Sequence, residues 1–351
     1  SQTWQYLAPE YHARRPIPVT VPADTSFEDN NAFWVIDQKI RHVGATPTTA
    51  KRAETKGVDV PSQEITDVGA RLADMDRFGI KKQVVFPTIW MACLAEDPDL
   101  ELALARSYNE FISRQCNQSG GRLWYAAIIP FRRPDRAVEE IKRVATLGGA
   151  VGIFARGLEW DKPLSHPSFF PIFEEAERQD LTITVHIGRG SPTLNGMFEG
   201  ISRLPGEPSH LPPRSSKLVS ALTCQYGFYS ILESGLMKEF PRLRCVFLEA
   251  GSEWMVPAIS TLGRGGKGHL RKLFEEGRIF ASCEPDEDLM YIASKLGEGC
   301  LVAASDIPHG DPSRHEFVEE VFRKRGDLSE GFLEKILCRN PATLYGRLAE
   351  P

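Results

Sequence analysis

Short apolar runs alternate with amphipathic segments along most of the chain. Continuous apolar runs of about four to eight residues are typical of buried strands, whereas apolar residues three and four positions apart are typical of helices. The predicted strands are Val19–Ala23, Lys82–Pro87, Leu123–Pro130, Gly149–Phe154, Leu181–Ile187, Arg244–Leu248, Ile279–Ser282 and Leu301–Ala304. The predicted helices include Ile65–Phe78, Asp99–Gln118, Pro134–Leu147, Phe169–Arg178, Phe228–Phe240, Trp254–Leu262, Asp286–Leu296, Arg314–Arg323 and Ser329–Leu337. Because strands that alternate with helices form parallel βαβ units, we expect an α/β fold, a single (β/α)8 TIM barrel.

The segments outside this alternation set the domain boundaries. Residues 1–20 are rich in proline, arginine and aromatic residues, which predicts an N-terminal arm docked on its own chain or on a partner subunit. Residues 21–351 then form one barrel domain, a length that suits a barrel with insertions. The polar stretch Arg41–Pro61 predicts an insertion on the surface after the first strand.

Polar residues stand where the predicted strands end. They are Asp24, His186, Glu249, Glu284, Asp306 and His309. Taken singly, each has an ordinary structural explanation, such as a turn, a helix cap or a buried structural histidine. Because the carboxyl ends of barrel strands converge at one mouth, we expect Asp24, His186 and Asp306 to hold a divalent metal with open coordination positions. Glu249 and His309 are the candidates for proton transfer, and His309 is also a candidate ligand or hydrogen-bond partner of a ligand.

Composition and charge exclude several classes of partner. The 351 residues carry a formal net charge of −5, which gives no electrostatic reason to expect nucleic acid or an anionic membrane as a partner. No apolar run approaches the length of a membrane span, and the N-terminus has no apolar signal core, so we predict a cytoplasmic protein. The seven cysteines are scattered without metal-binding spacing, which predicts reduced thiols and no cysteine-based zinc site.

Motifs spread over nearly the whole chain resemble those of one family. They are Tyr108–Phe111, Arg122–Leu123 with Ile129–Pro130, His166–Pro167, Val185–Gly188, Phe240–Leu243, Glu249–Trp254, Ser305–His309 and Asn340–Gly346. In this order and spacing they resemble the amidohydrolase-related group that includes the aminocarboxymuconate-semialdehyde and hydroxybenzoate-type decarboxylases. The resemblance implies a TIM barrel with one divalent metal, usually zinc or manganese. It also implies hydrolysis or non-oxidative decarboxylation of a small carboxylated substrate.

The first strand departs from this family pattern. Ser26 stands where the family has a histidine ligand, while Asp24 keeps its place and Glu28 or Asp29 is the candidate acidic ligand. An oxygen-rich ligand set shifts metal preference toward manganese or iron. Two alternatives therefore stay open. The first is an oxygen-activating hydroxylase that holds one or two iron or manganese ions, or the same-fold partner subunit of such an enzyme. The second is a catalytically inactive structural partner.

Residues on the loops suggest how a substrate is held. Arg156, Arg189, Trp90 and Phe228 lie on loops near the predicted mouth, where an arginine would suit a substrate carboxylate. The alternative for each of them is a role as a surface or core residue. Gly188, Gly190 and Gly251 would let backbone approach a ligand closely. The resemblance also implies an oligomer, either of identical chains or with a same-fold partner.

Overall fold

The computed structural model describes residues 2–22, 24, 32–41, 57–199, 215–263, 270–309 and 317–349. Its principal element is a parallel sheet of seven strands in the order β12-β11-β10-β9-β6-β5-β4. These strands are β4 Gln83–Val85, β5 Leu123–Ile128, β6 Ala150–Ala155, β9 Thr182–His186, β10 Cys245–Leu248, β11 Ile279–Cys283 and β12 Leu301–Ala303. The sheet curls into a half-barrel surrounded by helices, which confirms the TIM-barrel architecture and seven of the eight predicted strands.

The predicted first barrel strand is wrong over its described part. Ile17–Thr20 (β1) pairs antiparallel with Ala32–Ile36 (β2), which pairs with Lys39–Arg41 (β3) in a separate three-stranded sheet. All four residues of β1 are exposed, whereas a strand inside a parallel barrel is buried on both faces. Pro18 also lacks the N–H that a central strand needs for its ladder. Ala23 and residues 42–56 of the predicted insertion lie outside the described residues.

Helices cover the outer face of the sheet. After β6, two short strands, β7 Leu158–Glu159 and β8 Lys162–Pro163, pair antiparallel with each other. In chain order, α1 to α14 are Val60–Gln63, Val68–Arg77, Pro98–Asn117, Pro134–Leu147, Phe170–Arg178, Pro192–Glu199, Ser215–Glu233, Leu236–Glu239, Met255–Gly263, Leu270–Glu275, Leu289–Leu296, Val318–Lys324, Glu330–Glu334 and Asn340–Leu344. Short 3-10 helices lie at Gln2–Tyr6, Pro9–Arg14, Thr88–Met91, Pro167–Phe169, Glu298–Cys300 and Gly346–Ala349, and a π-helical turn spans Lys335–Arg339. The predicted helix Phe228–Phe240 begins earlier, at Ser215, and is broken before Leu236, where Gly235 adopts a positive φ of 80°.

Local signals in the sequence explain where the helices begin and end. The carboxylate of Asp97 accepts hydrogen bonds from the N–H groups of Asp99 and Leu100, and Pro98 occupies the first helical position of α3. Helix α4 ends at Gly148, whose φ of 86° is accessible mainly to glycine. The buried faces of these helices pack on the sheet in one large apolar core.

The N-terminal arm docks on its own chain. Trp4 and Leu7 are buried in the main core, and Ser107 Oγ of α3 donates to the carbonyl of Thr3 at 2.6 Å. The Arg14 guanidinium bonds Asp37 at 2.6 Å and Asp97 at 2.7 Å, which ties the arm to β2 and to the start of α3.

We expect Trp4→Ala to lower the free energy of unfolding by about 3 kcal/mol, because it empties a buried indole site. The half-exposed Tyr291 provides the control, since Tyr291→Ala should change stability by less than about 1 kcal/mol. Urea unfolding followed by circular dichroism measures both. Equal effects of the two substitutions would show that the docked arm adds no stability.

All seven cysteines are free, and five of them are buried. Burial raises the pKa of the Cys116, Cys224, Cys245 and Cys300 thiols to about 12. Burial likewise raises the pKa of the Cys93 thiol to about 12. Cys338 is exposed. The five buried thiols are part of the main apolar core. No helix among the described residues is long and apolar enough to cross a bilayer.

We expect a thiol reagent such as DTNB to modify one cysteine per native chain rapidly at pH 8. The buried thiols have pKa values far above this pH and no access to reagent, so they stay unreactive. Cys338→Ser should abolish the fast phase, and denaturant should expose the remaining six. Two or more fast thiols in the native protein would contradict this assignment.

Candidate active site

Three side chains that could hold a metal meet at the carboxyl ends of the strands. Glu249 follows β10, and Asp306 and His309 follow β12. Each offers one ligand atom, and these three atoms lie within 4.8 Å of one another. The parallel register produces this meeting, since Leu248 pairs with His186 and Cys283 pairs with Ala303, so the strands end at similar levels.

His186 lies beside this group and contacts Glu249. Its Nε2 is 3.1 Å from Glu249 Oε2, and its Nδ1 donates to the carbonyl of Ile187 at 2.9 Å. The rings of Phe86 and Phe154 lie near the imidazole, with centroids 5.6 and 5.5 Å away. The imidazole therefore has a polar neighbour at each nitrogen and two aromatic rings beside it.

Asp306 and His309 form a second pair. His309 Nδ1 lies 3.1 Å from the Asp306 carboxylate, and Nε2 lies 3.3 Å from Thr88 Oγ1. Asp306 and Glu249 both have positive φ, 50° and 66°. Non-glycine residues in this region cost free energy, and besides turns they are found at active sites. Ser282 Oγ accepts the Glu249 N–H at 2.9 Å and helps to hold that conformation.

These polar groups line a cavity of about 920 Å³. His186, Glu249, Asp306 and His309 all face it, and Phe86, Phe154, Leu248, Met91 and Thr88 supply apolar and hydroxyl surface around them. A concave site with a few convergent polar groups in an apolar wall is typical of enzymes that act on small molecules.

The comparisons with known proteins identify the family. The amidohydrolase family model matches residues 58–347. The chain belongs to the amidohydrolase family. This confirms the resemblance carried by the sequence motifs.

Two curated relatives of this amidohydrolase are decarboxylases. The gamma-resorcylate decarboxylase of Rhizobium sp. (strain MTP-10005) is 25% identical over 187 residues, which are 52% of this chain and 54% of the relative. The chain thus spans about half the length of that relative. The 2-amino-3-carboxymuconate-6-semialdehyde decarboxylase of Dictyostelium discoideum is 26% identical over 80% of this chain and 77% of the relative.

Solved structures share the fold of this amidohydrolase. An amidohydrolase from Mycobacterium avium subsp. paratuberculosis K-10 superposes with a TM-score of 0.76 at 19% identity, covering 98% of this chain and 94% of the other. A dihydroxybenzoic acid decarboxylase from Polaromonas sp. JS666, with bound manganese and the inhibitor 2-nitroresorcinol, superposes with a TM-score of 0.60 at 17% identity. The superposition covers 80% of this chain and 86% of the other.

The structure brings together four of the six residues that the sequence proposed for the site. Asp24 lies in an exposed turn beyond β1, outside the group of Glu249, Asp306 and His309. It follows β1, which belongs to the separate antiparallel sheet. Glu28 and Ser26 lie outside the described residues. Sequence reasoning missed Thr88, although its position just after the apolar strand at 83–85 is the signal that marked the other site residues.

Three of the loop residues proposed to reach the substrate, Trp90, Phe228 and Arg156, make contacts within the protein. Trp90 is buried, and Phe228 packs against Phe247 and Trp254 with centroids 5.1 and 5.0 Å away. Gly190 is required by the protein itself, because a Cβ there would lie 1.9 Å from the carbonyl oxygen of Leu158. The close packing of the backbone therefore explains the glycine at position 190 without a ligand.

Arg156, the proposed carboxylate binder, is committed to a buried ion pair. Its Nε lies 3.1 Å from Glu159 Oε2, and its Nη1 donates to the carbonyl of Ala92 at 3.0 Å. Burial alone would lower the pKa of Arg156, but the Glu159 carboxylate raises it above its usual value. The backbone N–H of Arg189 donates to the Met91 carbonyl at 2.6 Å, so the loops after β4, β6 and β9 are joined here.

We expect Arg156→Met to lower the free energy of unfolding by about 3–5 kcal/mol, because it leaves the Glu159 carboxylate buried without its counter-charge. The double variant Arg156→Met with Glu159→Gln removes both charges and should recover most of the loss. Urea unfolding of the four members of this cycle gives the coupling. A double variant as unstable as the single one would show that the ion pair is not the cause.

Proposed function

We propose that this amidohydrolase is a metal-dependent decarboxylase of a small carboxylated aromatic or related unsaturated acid. The observation that carries the proposal is the convergence of Glu249, Asp306 and His309 within 4.8 Å on the wall of the cavity. The two curated relatives act as decarboxylases by their names, which supports this reaction over hydrolysis.

The side chains fit a divalent metal. Two carboxylates and one imidazole are a ligand set that manganese or iron accepts, and manganese is the ion in the Polaromonas relative. Asp306 and His309, with Glu249 beside them, would hold it. When bound, such an ion supplies a positive charge that orients a carboxylated substrate and stabilises negative charge developing on it.

The apolar part of the wall has its own role. Phe86, Phe154 and Leu248 surround the polar groups and would pack against the carbon skeleton of the substrate. Removing that skeleton from water strengthens electrostatic interactions inside the site and keeps bulk water from the reacting carbon. The geometry therefore suits a substrate with one acidic end and an apolar body.

His186 is placed to handle the proton that decarboxylation needs. Loss of carbon dioxide leaves an electron pair on carbon, which must take up one proton to give the product. His186 Nε2 lies 3.1 Å from Glu249 Oε2, and both side chains line the cavity beside the metal-binding group. A proton carried by the imidazole would therefore lie next to the carbon that loses carbon dioxide.

The other hypotheses drawn from the sequence stay predictions. Hydrolysis would use the same metal site with water as the nucleophile, and no specific observation favours it over decarboxylation. The hydroxylase, the inactive partner and the oligomeric state likewise have no observation in the described residues that favours them.

We expect the protein with manganese to release carbon dioxide from a panel of dihydroxybenzoates and 2-amino-3-carboxymuconate-6-semialdehyde. Removal of metal by a chelator should abolish the release, and added manganese should restore it. Asp306→Asn should lower turnover by about a thousandfold or more, because it removes a charged ligand. Carbon-13 NMR of carboxyl-labelled substrates measures the product directly.

Glu284→Gln is the matched control, since it removes a carboxylate after the neighbouring strand β11 that lies outside the metal-binding group. It should retain turnover within a few-fold of the unchanged protein. Full activity of Asp306→Asn, or activity that survives complete metal removal, would contradict the proposed function.

A further inference from the structure

We propose that Glu287 is a positioning residue for the reaction, because its carboxylate fixes the loop that follows Glu249. This loop, residues 250–254, joins β10 to helix α9. The inference rests on the proposed function, in which Glu249 stands beside the bound metal. It concerns a residue that, among those the structure describes, lies outside both the cavity wall and the metal-binding group.

The Glu287 carboxylate accepts four hydrogen bonds. Oε1 accepts from the backbone N–H groups of Ser252 and Glu253, at 2.5 and 3.0 Å. Oε2 accepts from the Ser252 hydroxyl at 2.7 Å and from the backbone N–H of Glu284 at 2.8 Å. Three of these donors belong to loop 250–254 and the fourth belongs to the loop after β11. Because hydrogen bonds to a charged acceptor are stronger than those between neutral groups, this carboxylate joins the two loops firmly.

Loop 250–254 is shaped around this carboxylate. Gly251 has a φ of 70°, and a Cβ at this position would lie 2.8 Å from Glu287 Oε1. Glycine therefore lets the backbone pass close to the carboxylate. Ser252 is fully buried, so its N–H and hydroxyl depend on Glu287 as their acceptor. The Trp254 indole N–H donates to the Gly251 carbonyl at 2.8 Å, which closes the loop on itself.

Glu249 comes directly before this loop and has a positive φ of 66°. Its N–H donates to Ser282 Oγ at 2.9 Å, and Glu287 holds the residues three and four positions later. A non-glycine residue keeps a positive φ only where the surrounding structure holds it there. We therefore expect that loss of the Glu287 contacts moves the Glu249 carboxylate away from His186, from which it now lies 3.1 Å.

The segment that carries Glu287 is itself anchored. Arg325 Nη1 donates to the carbonyls of Pro285 and Glu287 at 2.9 and 2.6 Å. The same guanidinium pairs with Asp327 at 2.8 Å. Because this segment is tied to the chain after helix α12, Glu287 can hold loop 250–254 in one place rather than move with it.

The experiment compares manganese-loaded Glu287→Gln with a control on the same segment. Glutamine has nearly the same shape but lacks the charge and one acceptor oxygen, so kcat for carbon dioxide release should fall about thirtyfold. KM should change by less than about threefold, because the apolar wall that packs against the substrate is untouched.

Asp288→Ala is the matched control. The Asp288 side chain accepts from the Tyr291 N–H at 3.0 Å and caps helix α11, and among the described residues it makes no side-chain bond to loop 250–254. Its loss should lower the urea midpoint of unfolding but keep kcat within about twofold. Equal losses of kcat in Asp288→Ala and Glu287→Gln would overturn the inference.

A double-variant cycle separates positioning from a merely structural role. Glu249→Gln changes the group that Glu287 places, so adding Glu287→Gln to it should lower kcat by less than about threefold further. A structural role would lower kcat by the same factor in both backgrounds, and that result would overturn the inference. Ser252→Ala removes one of the four donors and replaces Glu287→Gln in the cycle if that variant does not fold, with an expected loss of about fivefold.

Crystal structures of the unchanged protein and the variants test the positioning without substrate. The distance from Glu249 Oε2 to His186 Nε2 should lengthen beyond about 4 Å in Glu287→Gln and stay the same in Asp288→Ala. An unchanged distance in Glu287→Gln would overturn the inference. A displaced Glu249 with no carbon dioxide released from any substrate by the unchanged protein would remove the proposed function and leave the positioning role standing.

Discussion

The parallel register of the central strands is the constraint on which the site depends. Leu248 of β10 lies opposite His186 of β9, so Glu249 emerges one residue beyond that pair, next to the imidazole. Ala303 of β12 lies opposite Cys283 of β11, which brings Asp306 to the same edge. A slip of one residue in either pairing would turn the strand's side chains to the opposite face and disperse the group.

The apolar interior of the sheet keeps this register in place. Val151, Val246, Phe280 and Val302 form a buried cluster on the inner face beneath the polar groups, with Leu248 at its upper edge. Burial of such side chains contributes about 1.5–3 kcal/mol each. Burial does not stabilise the polar side chains of the site in the same way, and the positive φ of Glu249 and Asp306 costs free energy. The apolar cluster therefore supplies the stability that the site itself lacks.

The loops are fixed by charge as well as by packing. Arg156 and Glu159 bind each other inside the protein and hold the Thr88–Met91 turn through the carbonyl of Ala92. Glu287 plays a similar part after β11, where its carboxylate accepts from the backbone of Ser252 at 2.5 Å and of Glu284 at 2.8 Å. In this family member, the charged residues near the mouth therefore serve partly to hold the loops that form the cavity.

The sequence by itself determined the alternation of strands and helices, seven barrel strands and the strand ends that carry His186, Glu249, Asp306 and His309. These features are local, because periodicity and turn residues act within a few positions of each other. Only the tertiary structure decided that Arg156 pairs with Glu159, that β1 joins a separate sheet, that Thr88 contacts His309 and that His186 faces Glu249. These contacts depend on strand register and on the course of the loops, not on local periodicity. Local patterns in the sequence do not specify which distant side chain pairs with a buried charge.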